Sequence, residues 1–154
     1  MEKNNDCIFC RIAAGKAPCY KIWEDSEHLA FLSPSPNTEG FSVVITKQHN
    51  PSYAFANNDK TLKKLIVATK KVALLLDKKL KDVGRTGMIF EGFGVDHLHS
   101  KLFPMHGTKD MSKWKPLKSS VEKYFKKYEG YISSHDYKKE DEEKLTKLAQ
   151  TIRN

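Results

Sequence analysis

Short bursts of apolar residues fill the first third of the chain, and apolar residues then recur at helical spacing, so strands come early and the longest helix follows. Residues 6–14 read as a short helix capped by Asp6 and ended by Gly15, with Pro18 barring its continuation. Two apolar-rich runs, 19–23 and 28–32, flank the polar stretch Glu24-Asp25-Ser26-Glu27, the pattern of a β-hairpin. Residues 33–40 contain Pro34 and Pro36 and close on Gly40, so they form a loop, and 41–46 read as a buried strand. From Asp59 onward, Leu62, Leu65, Ile66, Val72, Ala73, Leu76 and Leu80 recur at intervals of three and four, which predicts a long helix with one buried face. Residues 86–90 and 95–103 read as two more strands joined through Glu91-Gly92-Phe93-Gly94. Past Pro104, a polar loop over 105–117 precedes two helices, near 118–127 and 138–152, the second docked through Leu145, Leu148 and Ile152. Strands cluster instead of alternating strictly with helices, so the fold class is α+β, an antiparallel sheet of about five strands with a long helix and C-terminal helices.

A length of 154 residues suits one domain, and a hydrophobic share of 39% with 30% charged residues fits a globular chain. No apolar run approaches the roughly 20 residues that a membrane helix needs. The polar opening over residues 1–6 lacks the basic and apolar regions of a signal peptide, which sets a cytoplasmic location as the expectation. The net charge of +8 favours anionic partners, but much of it comes from Lys60, Lys63, Lys64, Lys70, Lys71, Lys78, Lys79 and Lys81, spaced as the solvated face of a helix. Without zinc-finger spacing, Arg-Gly repeats or a strand with interleaved aromatics, nucleic acid is a disfavoured partner.

The most informative segment is Gly94-Val95-Asp96-His97-Leu98-His99-Ser100-Lys101-Leu102-Phe103-Pro104. On a strand, His97, His99 and Lys101 share one face while Leu98 and Leu102 point the other way. A neutral imidazole can attack phosphorus, and a cation beside it can stabilise charge on the phosphoryl oxygens. Two histidines at this spacing serve equally well as polar-face residues or metal ligands. Cys7 and Cys10, with two residues between them, can clamp a metal, form a redox pair or simply be buried; with no strand before them, a thioredoxin-like unit is disfavoured.

The segment His97-Leu98-His99-Ser100-Lys101-Leu102-Phe103-Pro104-Met105 resembles the signature of the histidine triad family, His-x-His-x-His followed by two apolar residues and usually Pro-Arg. The resemblance extends upstream through Cys7-Ile8-Phe9-Cys10-Arg11-Ile12-Ala13-Ala14-Gly15, Trp23-Glu24-Asp25 with Ala30-Phe31-Leu32, and residues 40–49. It covers about residues 7–107, leaving about 116–154 as a C-terminal helical extension of a single domain spanning 1–154, and several motifs in order are far more specific than one. It implies a homodimer that hydrolyses or transfers a purine nucleotide or nucleotide conjugate at the α-phosphate. His99 would be the nucleophile, its second ring nitrogen held by a backbone carbonyl. It also implies a structural zinc ion (Zn2+) on Cys7, Cys10, His49 and His97, a closed Cys₂His₂ set. Cys19 has no counterpart and reads as packing.

The sequence departs from the family pattern where substrate would lie. Lys101 replaces the third histidine and is assigned a catalytic role as a phosphate-stabilising cation. Ser33 stands where an aspartate commonly holds ribose, Phe93 where a phosphate-contacting glutamine is common, and Met105 where arginine often follows proline. With Ser33 and Phe93, His106 is taken as the third nucleotide-binding candidate. Three readings follow: a nucleotide hydrolase or transferase, a nucleotide-binding regulator without turnover, and a zinc-stapled interaction module.

Overall fold

The computed structural model describes residues 6–110, 114, 116, 124–128 and 138–154. Helix α1 (Ile8–Ala13) leads into the hairpin of β1 (Tyr20–Glu24) and β2 (His28–Leu32), followed by β3 (Ser42–Thr46), the long helix α2 (Asp59–Lys79), β4 (Thr86–Ile89), β5 (His99–Pro104) and α3 (Glu142–Arg153). The five strands form one sheet in the order β1-β2-β3-β5-β4, and every neighbouring pair is antiparallel. The α+β class and the five-strand antiparallel sheet read from the sequence are both present.

Both faces of the sheet are covered, which explains why β2 and β3 are buried at every position. On one face, Ala30, Leu32, Val44 and Leu102 meet Leu65, Ala68, Val72 and Leu76 of α2, joined by Leu145, Ala149 and Ile152 of α3. On the other, Leu29, Phe31, Val43 and Ile45 lie beneath Phe9 and Ile12 of α1. The side chain of Asn58 caps α2 by accepting from the Thr61 amide, and Asp141 caps α3 by accepting from Lys144. No helix among the described residues is long and apolar enough to cross a membrane.

Three expectations are corrected. Ile66, placed on the buried face of α2, is exposed, and Ala68 and Thr69 take the inward positions. The strand expected over 95–103 begins only at His99, because Gly94 adopts a φ of +87° and the His97 amide turns back onto the Val95 carbonyl at 2.8 Å. His97 therefore leaves the ladder. Of the helix expected over 118–127, residues 118–123 lie outside the described residues, and 124–127 are not helical. Of the lysines read as a solvated face, Lys60, Lys63, Lys64, Lys70, Lys71 and Lys78 of α2 are exposed, as is Lys81 just past it, while Lys79 is half-buried.

Candidate functional site

The register of β2, β3 and β5 assembles the site on the face beneath α1. Leu29, Ile45 and His99 form one cross-strand row, and Phe31, Val43, Lys101 and Ile89 form the next. His99 and Lys101 thus share a face, as alternation requires. Between them, Ser100 points the opposite way and meets Thr69 of α2, with 2.7 Å between the two buried hydroxyls.

His99 is buried, and its Nδ1 lies 2.6 Å from the His97 carbonyl oxygen. A carbonyl can only accept, so Nδ1 carries the proton and the neutral ring keeps its lone pair on Nε2. Among the described residues no hydrogen-bond partner occupies Nε2. Burial pulls the ring's pKa below 6.5, opposed by the bond to the His97 carbonyl, while the Lys101 ammonium lowers it and the Glu91 carboxylate raises it. The balance favours a neutral imidazole at neutral pH. Phe9 of α1 packs edge-on against it, 5.3 Å between ring centroids, and likewise against His97 at 5.8 Å and Phe31 at 5.7 Å.

One strand residue earlier, the displaced His97 faces a different set of partners. Its Nδ1 lies 3.5 Å from both Cys7 Sγ and Cys10 Sγ, and Cys10 Sγ lies 3.4 Å from His49 Nδ1. The four ligand atoms of Cys7, Cys10, His49 and His97 all fall within 4.8 Å of one another. In a tetrahedral site with metal–sulfur near 2.3 Å and metal–nitrogen near 2.0 Å, sulfur and nitrogen sit about 3.5 Å apart. The cluster therefore fits a tetrahedral metal ion as it stands. His97 Nε2–H donates to the Thr46 carbonyl at 2.7 Å, which fixes the tautomer that points Nδ1 at the sulfurs. Burial holds the ring's pKa down to about 4, so it stays neutral, the form in which an imidazole can bind a metal. Cys19 lies outside this cluster, and burial pushes its thiol pKa up, in keeping with a packing role.

The remaining candidates separate. Lys101 Nζ lies 2.8 Å from Glu91 Oε2, with both side chains largely buried. Ser33 is buried just past β2, its Oγ accepting from the Ser35 amide at 3.3 Å. Phe93 is exposed and stacks on Tyr128, with 5.6 Å between ring centroids. His106 is not brought to His99. It lies two residues beyond the far end of β5, where Nδ1 meets Asp82 Oδ1 at 2.8 Å and Nε2 meets the Glu39 carbonyl at 2.9 Å. Sequence reasoning missed Glu91, Phe9 and Thr46. Glu91 alone had a visible signal, an acid in the turn that leads from one strand to the strand carrying an unusual lysine.

A five-strand antiparallel sheet that presents a buried imidazole, tautomerically fixed on a backbone carbonyl beside a His-x-His repeat, defines a histidine triad class of protein. A family model of the HIT domain matches residues 14–108, and the chain belongs to the HIT family. An uncharacterized HIT-like protein of 16.1 kDa from Mycoplasma pneumoniae is 33% identical over 109 residues, which cover 68% of this chain and 75% of that one. The adenosine 5′-monophosphoramidase of Schizosaccharomyces pombe is 33% identical over 99 residues, covering 64% of this chain and 73% of that enzyme. Among solved structures, a zinc-bound histidine triad family protein from Mycobacterium smegmatis superposes with a TM-score of 0.67 at 18% identity, covering 96% of this chain and 91% of that one.

Proposed function

We propose that the protein is a nucleotide hydrolase or nucleotidyl transferase that acts at the α-phosphate of a purine nucleotide conjugate, with His99 as nucleophile. The observation that carries this is the 2.6 Å contact of His99 Nδ1 with the His97 carbonyl, because it leaves the Nε2 lone pair as the reactive one. Membership of a family that includes an adenosine 5′-monophosphoramidase supports the substrate class. In the first step the Nε2 lone pair forms a bond to phosphorus, and the bond from phosphorus to the leaving group breaks. The departing atom keeps the electron pair and takes up a proton from solvent, while Nδ1–H stays hydrogen-bonded to the His97 carbonyl. In the second step water attacks phosphorus and gives up a proton to solvent, the P–Nε2 bond breaks with its electron pair returning to Nε2, and the nucleoside monophosphate leaves with His99 restored. Lys101 offsets charge on the phosphoryl oxygens.

Zinc is the metal that the Cys₂His₂ donor set fits best, and with four protein ligands it would be structural, tying α1, the end of β3 and the turn before β5 together. Ser33 is the ribose-side candidate; Phe93 enters through its stack with Tyr128 and not as a free contact. A homodimer paired through the edge strand β4, which carries the exposed Met88, accords with the family resemblance, and sedimentation at micromolar concentration tests it.

The test of catalysis is release of nucleoside monophosphate from adenosine and guanosine phosphoramidates and dinucleoside polyphosphates, resolved by mass, for the protein and its His99→Ala variant. Release by the parent alone is the expected result. If both proteins release product equally, His99 is not the nucleophile; if neither does while the fold and metal content are intact, hydrolysis of these substrates is abandoned. The non-catalytic reading would then rest on the commitment of Lys101 to Glu91, and saturable binding of adenosine monophosphate would test it.

A further inference from the structure

Among the described residues, Lys101 and Glu91 form the most deeply buried lysine–carboxylate pair, with side-chain exposures of 16% and 10%; the other lysine pairs are more open to solvent. An ammonium at that depth is costly unless a carboxylate answers it. The pair forms because β4 and β5 are in register at Ile89 and Lys101, so the chain leaving β4 carries Glu91 back over the lysine. Tyr128 Oη donates to the other Glu91 oxygen at 3.4 Å, and Phe93 stacks on the Tyr128 ring. The carboxylate is thus held between the turn, the strand and a residue of the C-terminal segment. A lysine alone is a flexible point charge, with none of the fixed geometry of an imidazole. A lysine held by a fixed carboxylate has a defined place.

Resting on the hydrolase reading above, we propose that Glu91 is a positioning residue that fixes the Lys101 ammonium beside His99, so that the two together do the work of one side chain at the third triad position. Glu91 touches neither the reacting phosphorus nor the nucleophile in this scheme. It holds Lys101 where charge develops on the phosphoryl oxygens and keeps the uncomplexed site close to neutral. Tyr128 steadies Glu91 in turn, which gives the C-terminal segment a place in the reaction.

Two measurements on the full-length protein, Glu91→Gln, Lys101→Met and the double variant test this. The first follows ¹⁵Nζ ammonium resonances of lysine in the ligand-free protein: Lys101 should give a signal protected from solvent exchange that Glu91→Gln abolishes. A signal unchanged by Glu91→Gln overturns the positioning role, whatever the turnover. The second measures kcat and KM for adenosine 5′-phosphoramidate. Each single variant should lower kcat about 10- to 100-fold with KM within about threefold, and the double should be no worse than the poorer single. Multiplying losses in the double, or a loss confined to KM, overturns the proposal. If the parent shows no turnover while the Lys101 signal depends on Glu91, the positioning stands and the hydrolase reading falls. Glu91→Asp, with its shorter reach, should recover kcat only in part.

Discussion

The pair of hydroxyls between α2 and β5 gives a sharp prediction about what holds the strand of His99 in place. Thr69 Oγ1 donates to the Leu65 carbonyl at 2.8 Å, so its proton is committed, and the 2.7 Å contact with Ser100 Oγ requires Ser100 to donate to Thr69. Both residues are fully buried, and Ser100 lies between His99 and Lys101 in β5. The two deletions are therefore unequal. Ser100→Ala removes one hydrogen bond but leaves Thr69 donating to Leu65, a loss of about 0.5–1.5 kcal/mol. Thr69→Val leaves the Ser100 hydroxyl buried with no acceptor, at a cost of about 1–3 kcal/mol. The double variant presents methyl against methyl in nearly the same volume and should fall short of the sum by about 1 kcal/mol or more. Urea unfolding followed by tryptophan fluorescence measures all three, and each kcal/mol should also move Tm by about 2–4 °C in a chain of this size. If Ser100→Ala costs more than Thr69→Val, or if the double variant loses the full sum, the donor assignment and the argument built on it are wrong.

Other consequences are open to simpler tests. Atomic emission should find about one zinc per chain; Cys10→Ser and His49→Ala should lose it, and Cys19→Ser, outside the cluster, should retain it. The Glu39 carbonyl and the Asp82 carboxylate both favour the charged His106 ring and raise its pKa above 6.5, so the contact stabilises fully below the unfolded value and weakens as pH rises through the raised folded one. A proton NMR titration should place the His106 midpoint above 6.5, and Asp82→Asn should move it down; a midpoint at or below 6.5 in the parent contradicts the geometry. Phe9→Ala removes the ring that packs on His97, His99 and Phe31, and should cost about 3–5 kcal/mol of stability as well as slowing turnover; loss below about 1 kcal/mol would show that α1 does not form the site's wall.

Much of this arrangement was legible in the sequence, for reasons tied to particular residues. The 3.6-residue recurrence from Leu65 to Leu76 is strong because one face of α2 packs on a sheet, and misplacing Ile66 followed from reading apolar character where small residues, Ala68 and Thr69, permit close approach. Cys7, Cys10, His49 and His97 could be grouped only through the family resemblance, since spacing along the chain says nothing of how the fold brings Cys7 to His97 across a sequence separation of 90. Strand alternation predicted the shared face of His99 and Lys101, but not the bend that takes His97 out of the ladder. That bend comes from a glycine with positive φ and a local amide turn, and it separates two roles that the repeat makes look alike: His97 turned toward the cysteines, His99 kept on the sheet. Lys101 was the residue least intelligible from its own neighbours, because its partner is set by β4–β5 register and not by local pattern. A lysine in place of an imidazole is a loss of geometry when taken alone. With a buried carboxylate ten residues earlier at 2.8 Å, the departure at Lys101 and the acid at Glu91 form one ion pair, and under the proposal above the two together stand for the single side chain at the third triad position.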